Sequence, residues 1–175
     1  MQAGTSGTGE WRLIGNSTRW EVALGSQSAG APPIIAIDDV GVKQVWERLS
    51  SDPSAALVDV RTKAEWNYVG LPDLTTIGRK PILVEWQNFP EGRIDPSFTA
   101  RLEASLNAAG VGKNAEIFFI CRSGGRSRSA ALAMTAAGYS RCRNVAEGFE
   151  GPLDPLRHRG RIGGWKSAGL PWAQG

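Results

Sequence analysis

The stretch from residue 117 to residue 137, IFFICRSGGRSRSAALAMTAA, indicates both how the chain folds and where its chemistry lies. Its first four residues, Ile117 to Ile120, are apolar and rich in aromatic and β-branched side chains, which predicts a buried strand. The alanine-rich run from Ser127 to Ala137 predicts a helix. The sequence therefore predicts Cys121 on a glycine-containing turn, between the carboxyl end of a buried strand and the start of a helix.

A cysteine in that position is expected to be reactive. Unpaired backbone N–H groups and the positive end of the helix dipole would gather around its sulfur. Such surroundings favour the thiolate, which is the nucleophilic form. The seven residues after Cys121 also contain two glycines and three arginines. A cysteine that serves only to fill the core would explain neither feature.

The rest of the chain alternates between strand and helix patterns from residue 33 onward. Strands are predicted at residues 34–37, 55–60, 82–84 and 144–146. One helix is predicted after an N-cap at Asp38 or Asp39. Another is predicted after an N-cap at Asp95, with Pro96 at its first helical position and Gly110 at its end. Gly138 is predicted to end the helix that begins at Ser127. This alternation predicts an α/β fold with a mainly parallel central sheet and helices on both faces. Ligands of such sheets bind at the carboxyl ends of the strands, where Asp59 and Cys121 both lie.

The chain of 175 residues suits one domain with a modest extension. Residues 1–30 are rich in Gly, Ser and Thr and are predicted to form a flexible or packed N-terminal extension. Residues 31–175 are predicted to form the single domain. The segment at about residues 150–164 carries prolines and a basic cluster, and is interpreted as an inserted loop near the site.

Composition excludes several classes of function. Hydrophobic residues make up 41% and charged residues 21%, which is typical of a soluble globular protein. No secretory signal is recognisable, so cytoplasmic residence is expected, and no apolar run reaches the length of about 20 residues that a membrane helix needs. The net charge of +3 favours anionic substrates, but no nucleic-acid recognition motif accompanies it. Two cysteines and one histidine form neither a disulfide framework nor a zinc site, and no cofactor is expected.

Four segments together resemble the rhodanese-like sulfurtransferases, in their single-domain form. They are LVDVR at residues 57–61, EWNYVG at residues 65–70, the loop at residues 121–127 and WKSAGLP at residues 165–171. The match extends over most of residues 34–172. One departure is Leu71, which stands where the family usually has a histidine. That histidine is not the family's nucleophile, so the departure bears on substrate detail and not on the type of reaction.

The resemblance implies a sulfurtransferase in which Cys121 takes sulfane sulfur from a donor such as thiosulfate, forms a persulfide, and passes the sulfur to cyanide, a thiol or a protein acceptor. It implies an active-site loop that cradles the sulfur and the anionic donor, formed by Arg122, Ser123, Gly124, Gly125, Arg126 and Ser127. It implies that Asp59 and Arg61 support this loop, and that Trp66 and Trp165 lie near the site and wall it. Neither nucleic acid nor a membrane is expected as a partner.

Two other functions remain open from the sequence. A cysteine-dependent phosphatase shares the strand-loop-helix arrangement, but its signature is Cys-x5-Arg, whereas only four residues separate Cys121 from Arg126. The shorter loop suits a persulfide better than a phosphoryl group. A non-catalytic or redox-sensing module is the other alternative. Cys142 is interpreted as a packing residue in preference to a resolving thiol, and His158 as a solvated loop residue in preference to a partner of Cys121.

Overall fold

The computed structural model describes residues 36–175 and, earlier in the chain, the backbone of residues 11–12 and 21–22. The chain divides into two compact units, residues 1–34 and residues 35–175. In the first unit, strand β1 (Trp11–Arg12) pairs antiparallel with strand β2 (Glu21–Val22). The remainder of the extension predicted at residues 1–30 lies outside the described residues, as do residues 34 and 35 of the first predicted strand.

The second unit is built on a five-stranded sheet with the order β3-β8-β7-β4-β6, in which all neighbouring strands run parallel. Its strands are β3 (Asp38–Val40), β4 (Ala56–Asp59), β6 (Ile82–Leu83), β7 (Glu116–Ile120) and β8 (Arg141–Val145). A separate antiparallel pair joins β5 (Leu71–Pro72) to β9 (Trp172–Ala173). The helices are α1 (Val42–Ser51), α2 (Lys63–Val69), α3 (Phe98–Ala108), α4 (Gly125–Ala136) and α5 (Gly164–Ser167), with a 3₁₀ turn at Thr75–Ile77.

Helices cover both faces of this sheet, as the side chains of its central strand show. Ile117 and Phe119 of β7 belong to one core cluster, which includes residues of α3 and α4. Phe118 and Ile120 point to the opposite face and join a second cluster with residues of α1 and α5. Strand β7 is thus apolar at these four positions because it is buried on both faces. The predicted α/β fold, with a mainly parallel sheet between helices, is confirmed.

The start of α1 differs from the sequence prediction. Asp38 and Asp39 do not cap the helix; both lie in edge strand β3, and the N-cap is Gly41, which makes no side-chain capping bond. The reason is long-range pairing: Asp38 lies opposite Arg143 of β8, and its Oδ2 lies 2.9 Å from the Nη1 of that arginine. The first strand of the sheet therefore lies at residues 38–40, beyond the predicted residues 34–37.

The starts of α3 and α4 also differ from the prediction. Asp95 accepts hydrogen bonds from the backbone N–H and the hydroxyl of Ser97, at 2.8 and 2.6 Å, and forms a tight turn before the helix. Helix α3 consequently begins at Phe98, and not at Pro96. Helix α4 begins at Gly125, two residues before the predicted Ser127, so its first turn includes part of the loop that follows Cys121. No helix in the described part of the chain is long and apolar enough to span a membrane.

A buried ion pair joins β4 to the segments around the carboxyl edge of the sheet. Asp59 and Arg61 both have no exposed side-chain surface, and the Arg61 Nη2 lies 2.6 Å from the Asp59 Oδ2. The same nitrogen donates to the carbonyl of Gly70 at 2.8 Å, and the guanidinium lies 4.0 Å from the centre of the Phe149 ring. One arginine therefore holds β4, the end of α2 and the segment after β8 together.

Removing one member of this pair should leave an uncompensated charge in the core. We expect Asp59→Asn to lower the free energy of unfolding by about 3–5 kcal/mol, the usual cost of breaking a buried ion pair. The control is Asp38→Asn, because the side chain of Asp38 is 67% exposed in its pair with Arg143 and such pairs contribute about 0–1 kcal/mol. Urea denaturation measures both variants. Equal losses would contradict the assignment of the Asp59–Arg61 pair as the support of this edge.

Candidate active site

Cys121 directly follows strand β7 at the carboxyl edge of the sheet and is only 1% exposed. Its sulfur accepts a hydrogen bond from the backbone N–H of Gly124 at 3.2 Å. The hydroxyl oxygen of Ser127 also lies 3.2 Å from the sulfur. Two polar groups of the following loop therefore converge on the cysteine, as the strand-turn-helix pattern predicts.

The loop can close this tightly because of the conformation of Gly124. Its φ of 99° lies in the region that favours glycine, and a Cβ atom there would lie 2.4 Å from the carbonyl oxygen of Ala146. Helix α4 begins at the next residue, and the backbone N–H of Arg128 donates to the Gly124 carbonyl at 3.2 Å. The N–H groups of residues 125–127 precede this first helical bond, so they have no acceptor within the helix.

A segment after β8 fixes the other side of the loop. The backbone N–H groups of Phe149 and Glu150 donate to the carbonyls of Cys121 and Arg122, at 2.8 and 3.0 Å. Gly148 makes this approach possible, because a Cβ atom there would lie 2.5 Å from the Cys121 carbonyl oxygen. Sequence reasoning missed this support. The only local signal is a glycine shortly after a strand, which does not reveal which backbone it approaches.

A pocket of about 710 Å³ opens above Cys121. Its walls come from α2, from the segment after β6, from the Cys121 loop and from the segment after β8. The lining residues are Thr62, Ala64, Glu65, Tyr68, Val69, Gln87, Asn88, Phe89, Pro90, Gly92, Cys121, Arg122, Ser123, Gly125, Arg126, Glu150 and Arg159. Of the predicted loop, Gly124 and Ser127 are buried beneath the pocket and the other members line it. The segment interpreted as an inserted loop contributes Glu150 and Arg159.

Arg126 lines the pocket and is held there by a carboxylate. Its Nη1 and Nη2 donate to the Glu65 Oε2 and Oε1 at 2.8 and 2.6 Å, a bidentate pair between α4 and α2. Arg126 nevertheless lines the pocket, so its predicted place in the active-site loop stays a prediction, with Glu65 as an added partner. Its charge is already neutralised by Glu65, which lies 61 residues earlier in the chain.

This pairing determines the charge state of Glu65. Burial on its own would raise the pKa of the carboxyl group, but the hydrogen bonds and charge of Arg126, together with the bonds from Thr62, outweigh it and lower the pKa to about 2. Glu65 also closes a capping box with Thr62 at the start of α2. The carboxylate thus fixes both the helix and the arginine at every pH near neutrality.

The two tryptophans predicted to wall the site lie elsewhere. Trp165 is fully buried in the core, edge-to-face with Trp46, and donates to the Pro171 carbonyl at 2.7 Å. Trp66 is absent from the pocket wall, which α2 forms with residues 64, 65, 68 and 69. At about 100° per residue, these four share one face of the helix and Trp66 points away from it. The aromatic side chains that line the pocket are Tyr68 and Phe89, which are 80% and 69% exposed.

Cys142 and His158 take no part in the site. Cys142 belongs to the core and pairs in the sheet with Ile117. Ile117 lies four residues before Cys121, so Cys142 is well below the carboxyl edge where Cys121 lies. Burial raises the pKa of its thiol. His158 has a side chain that is 55% exposed and lies beside Asp154, outside the pocket wall. The interpretations of Cys142 as a packing residue and of His158 as a solvated one agree with these positions.

A parallel sheet flanked by helices, with a buried cysteine on a closed loop at its carboxyl edge, is the arrangement expected of a rhodanese-like domain. A family model described as the STR4 middle domain matches residues 38–175, and the chain belongs to this family of rhodanese-like domains.

Three similar proteins extend the comparison. The uncharacterized protein RC0915 of Rickettsia conorii is 34% identical over 138 residues, which are 79% of this chain and 98% of that protein. Thiosulfate sulfurtransferase 18 of Arabidopsis thaliana is 31% identical over 125 residues, covering 71% of this chain and 82% of its own length. The crystal structure of Rv0390 from M. tuberculosis has a TM-score of 0.70 and 43% identity, over 79% of this chain and 100% of that chain.

The contact between Gly148 and the loop can be tested by adding one methyl group. Gly148→Ala should displace the Cys121 carbonyl and slow alkylation of Cys121 by iodoacetamide. The matched control is Gly78→Ala, because Gly78 has nearly the same φ (69° against 67°) but no atom within 4 Å of the place that its Cβ would occupy. The control should cost about 1–2 kcal/mol of left-handed backbone strain. Gly148→Ala should cost about 1–3 kcal/mol more, from overpacking.

Thermal and urea unfolding of both variants give the stability difference. Equal losses in the two variants, with unchanged alkylation of Cys121, would contradict the role of Gly148 in supporting the loop.

The Glu65–Arg126 pair predicts a pH-dependent stability. Because the folded pKa of Glu65 is lowered to about 2, its stabilisation is fully present above the ordinary value of 4.5 and is lost as the pH falls toward 2. Glu65→Gln should therefore lower the free energy of unfolding by about 1.5–3 kcal/mol at pH 7, the range for bonds to charged groups. The difference between variant and wild type should shrink as the pH falls below 4.5. Urea denaturation at about pH 7 and about pH 3 measures it, and a constant difference would contradict the pairing.

Proposed function

We propose that the domain is a sulfurtransferase that carries sulfur as a persulfide on Cys121. In the first half-reaction the Cys121 thiolate attacks the sulfane sulfur of thiosulfate, and the S–S bond of the donor breaks. Sulfite leaves with the bonding electron pair, and the negative charge passes to the outer sulfur of the persulfide. In the second half-reaction, cyanide or a thiolate attacks that outer sulfur and the cysteine leaves as a thiolate.

The observation that carries this proposal is the cradle around the Cys121 sulfur. The Gly124 N–H donates to it at 3.2 Å, and the N–H groups of the first turn of α4 follow directly. Hydrogen bonds from a fixed backbone stabilise a negative sulfur without any rearrangement during the reaction. The same N–H groups would receive the outer sulfur of a persulfide, which carries the charge after the first half-reaction.

The charges of the pocket favour an anionic donor. The charges of Arg126 and Glu65 neutralise each other. The other charged residues that line the pocket are two arginines, Arg122 and Arg159, and one glutamate, Glu150. The balance is positive by one charge, and Arg122 is exposed on the loop beside Cys121. The name of the Arabidopsis thaliana relative, thiosulfate sulfurtransferase 18, supports thiosulfate as the first donor to test.

The acceptor has far more room than cyanide needs. A pocket of about 710 Å³ with Tyr68 and Phe89 in its wall admits an organic thiol, and both side chains are exposed enough to contact a protein acceptor. A phosphatase is less favoured, because the arginine that would clamp a phosphoryl group is bound to Glu65.

Substitution of the nucleophile separates these functions. Cys121→Ser should reduce sulfur transfer from thiosulfate to cyanide by about three orders of magnitude or more, because the hydroxyl cannot carry the persulfide. The matched control is Cys142→Ser, which should keep the wild-type rate because Cys142 lies in the core. After treatment with thiosulfate, mass spectrometry should find one added sulfur atom on wild type and on Cys142→Ser, and none on Cys121→Ser.

An aryl phosphate assayed in parallel tests the phosphatase. If the protein hydrolyses the aryl phosphate and transfers no sulfur, it is a phosphatase and the proposed sulfurtransferase function is wrong. Absence of both activities, with oxidation of Cys121 by peroxide, would identify a redox-sensing module. Residual sulfur transfer above roughly a tenth of wild type in Cys121→Ser would exclude Cys121 as the nucleophile.

A further inference from the structure

The hydroxyl of Ser127 has more acceptors than protons. Its oxygen lies 3.2 Å from the Cys121 sulfur, 3.1 Å from the Gly124 carbonyl oxygen and 2.7 Å from the Asn144 Oδ1. A hydroxyl group donates only one hydrogen bond, so these acceptors compete for it. The shortest of these contacts, at 2.7 Å, is to Asn144, which makes the Asn144 oxygen the main competitor of the sulfur for this proton.

Asn144 is locked in the orientation that makes it an acceptor. Its side-chain amide is buried on β8, and Nδ2 donates to the Asp39 Oδ1 at 2.7 Å. A carboxylate can only accept, so the NH₂ group must face Asp39 and the carbonyl oxygen must face Ser127. The other oxygen of Asp39 is paired with Arg128, which holds the carboxylate in place.

We propose that Asn144, oriented by Asp39, is a positioning residue that controls the single proton of Ser127 and thereby the reactivity of Cys121. When Cys121 is a neutral thiol, its S–H donates to Ser127 and the Ser127 hydroxyl donates to Asn144, so the hydrogen bonds run in one direction toward Asp39. When Cys121 is a thiolate, the Ser127 proton turns to the sulfur and leaves the Asn144 oxygen without it. Asn144 thus competes with the thiolate for its donor.

The demand of the Cys121 sulfur for the Ser127 proton differs between the free thiolate and the persulfide. In the persulfide the negative charge lies on the outer sulfur, within reach of the loop N–H groups, and the sulfur of Cys121 no longer needs the hydroxyl. The Ser127 proton can then return to Asn144. The arrangement therefore favours the persulfide over the free thiolate. This inference rests on the proposed function of Cys121, but its first test requires no sulfur transfer.

The first test is the pH midpoint of Cys121 alkylation by iodoacetamide, measured in a Cys142→Ser background. Asn144→Leu removes the competing acceptor at similar volume and should move the midpoint about one pH unit lower, a tenfold change in ionisation. Ser127→Ala removes the donor and should move the midpoint in the opposite direction. In the Ser127→Ala background, Asn144→Leu should have no further effect. A residue that merely supports the fold would not produce that pattern.

A second variant, at the surface, tests the same role of Asn144 in case Asn144→Leu does not fold. The side chain of Asp39 is 45% exposed, and Asp39→Ala frees the Asn144 amide to turn its NH₂ group toward Ser127. The midpoint should again move down. The matched control is Asp38→Ala, which removes the same charge from the same strand without contact to Asn144 and should change the midpoint by less than about 0.2 units, because the exposed charge is screened.

No other charged group is removed in these variants, but Asp39→Ala also takes the carboxylate partner from Arg128, an effect that Asn144→Leu does not have. The charged groups that face the site are Arg126 and Arg128 on α4, Glu65 on α2, Asp59 on β4, and Arg122, Glu150 and Arg159 around the pocket.

The proposal would be overturned by an unchanged or raised midpoint in Asn144→Leu and Asp39→Ala, or by an equal shift in the presence and absence of Ser127. Persulfide formation is measured separately by mass after thiosulfate treatment. No persulfide in wild type, with the alkylation pattern as expected, would refute sulfur transfer and leave the role of Asn144 standing. A persulfide in wild type, without the expected shifts of the alkylation midpoint, would support sulfur transfer and refute the role of Asn144.

Discussion

The backbone bonds between two distant segments are the constraint on which the site depends. The carbonyls of Cys121 and Arg122 accept from the N–H groups of Phe149 and Glu150, and the contact at Gly148 leaves no space for a side chain. Carbonyl groups held in this way cannot turn toward the sulfur, where they would repel a negative charge. The N–H groups of the loop and of the first turn of α4 are left to stabilise it.

Two arginines with predicted roles at the site serve mainly as structural ties. Arg61 is buried against Asp59 and the ring of Phe149, and Arg126 is paired with Glu65. A buried or half-buried guanidinium needs a carboxylate partner, since an unpaired charge away from water is costly. The positive character of the pocket consequently comes from Arg122 and Arg159, one beside the cysteine and the other from the segment after β8.

The pocket wall is built from several parts of the chain besides the Cys121 loop. Only the floor belongs to the Cys121 loop; the aromatic part of the wall comes from α2 and from the segment that follows β6. Tyr68 and Phe89 remain mostly exposed, at 80% and 69%. The cysteine and the aromatic part of the wall therefore lie on different segments of the chain.

Local pattern was enough to predict the parallel α/β sheet, the buried strand β7 and a glycine-containing turn that places Cys121 before a helix, because these follow from periodicity and residue type. It could not predict the partners of Arg126 and Asn144, which lie 61 and 105 residues away in the chain, or the face of α2 that excludes Trp66. These features depend on the folded chain. Hydrogen bonds and packing act over a few ångströms in space, whereas a local sequence pattern does not indicate which distant residues the fold brings into contact.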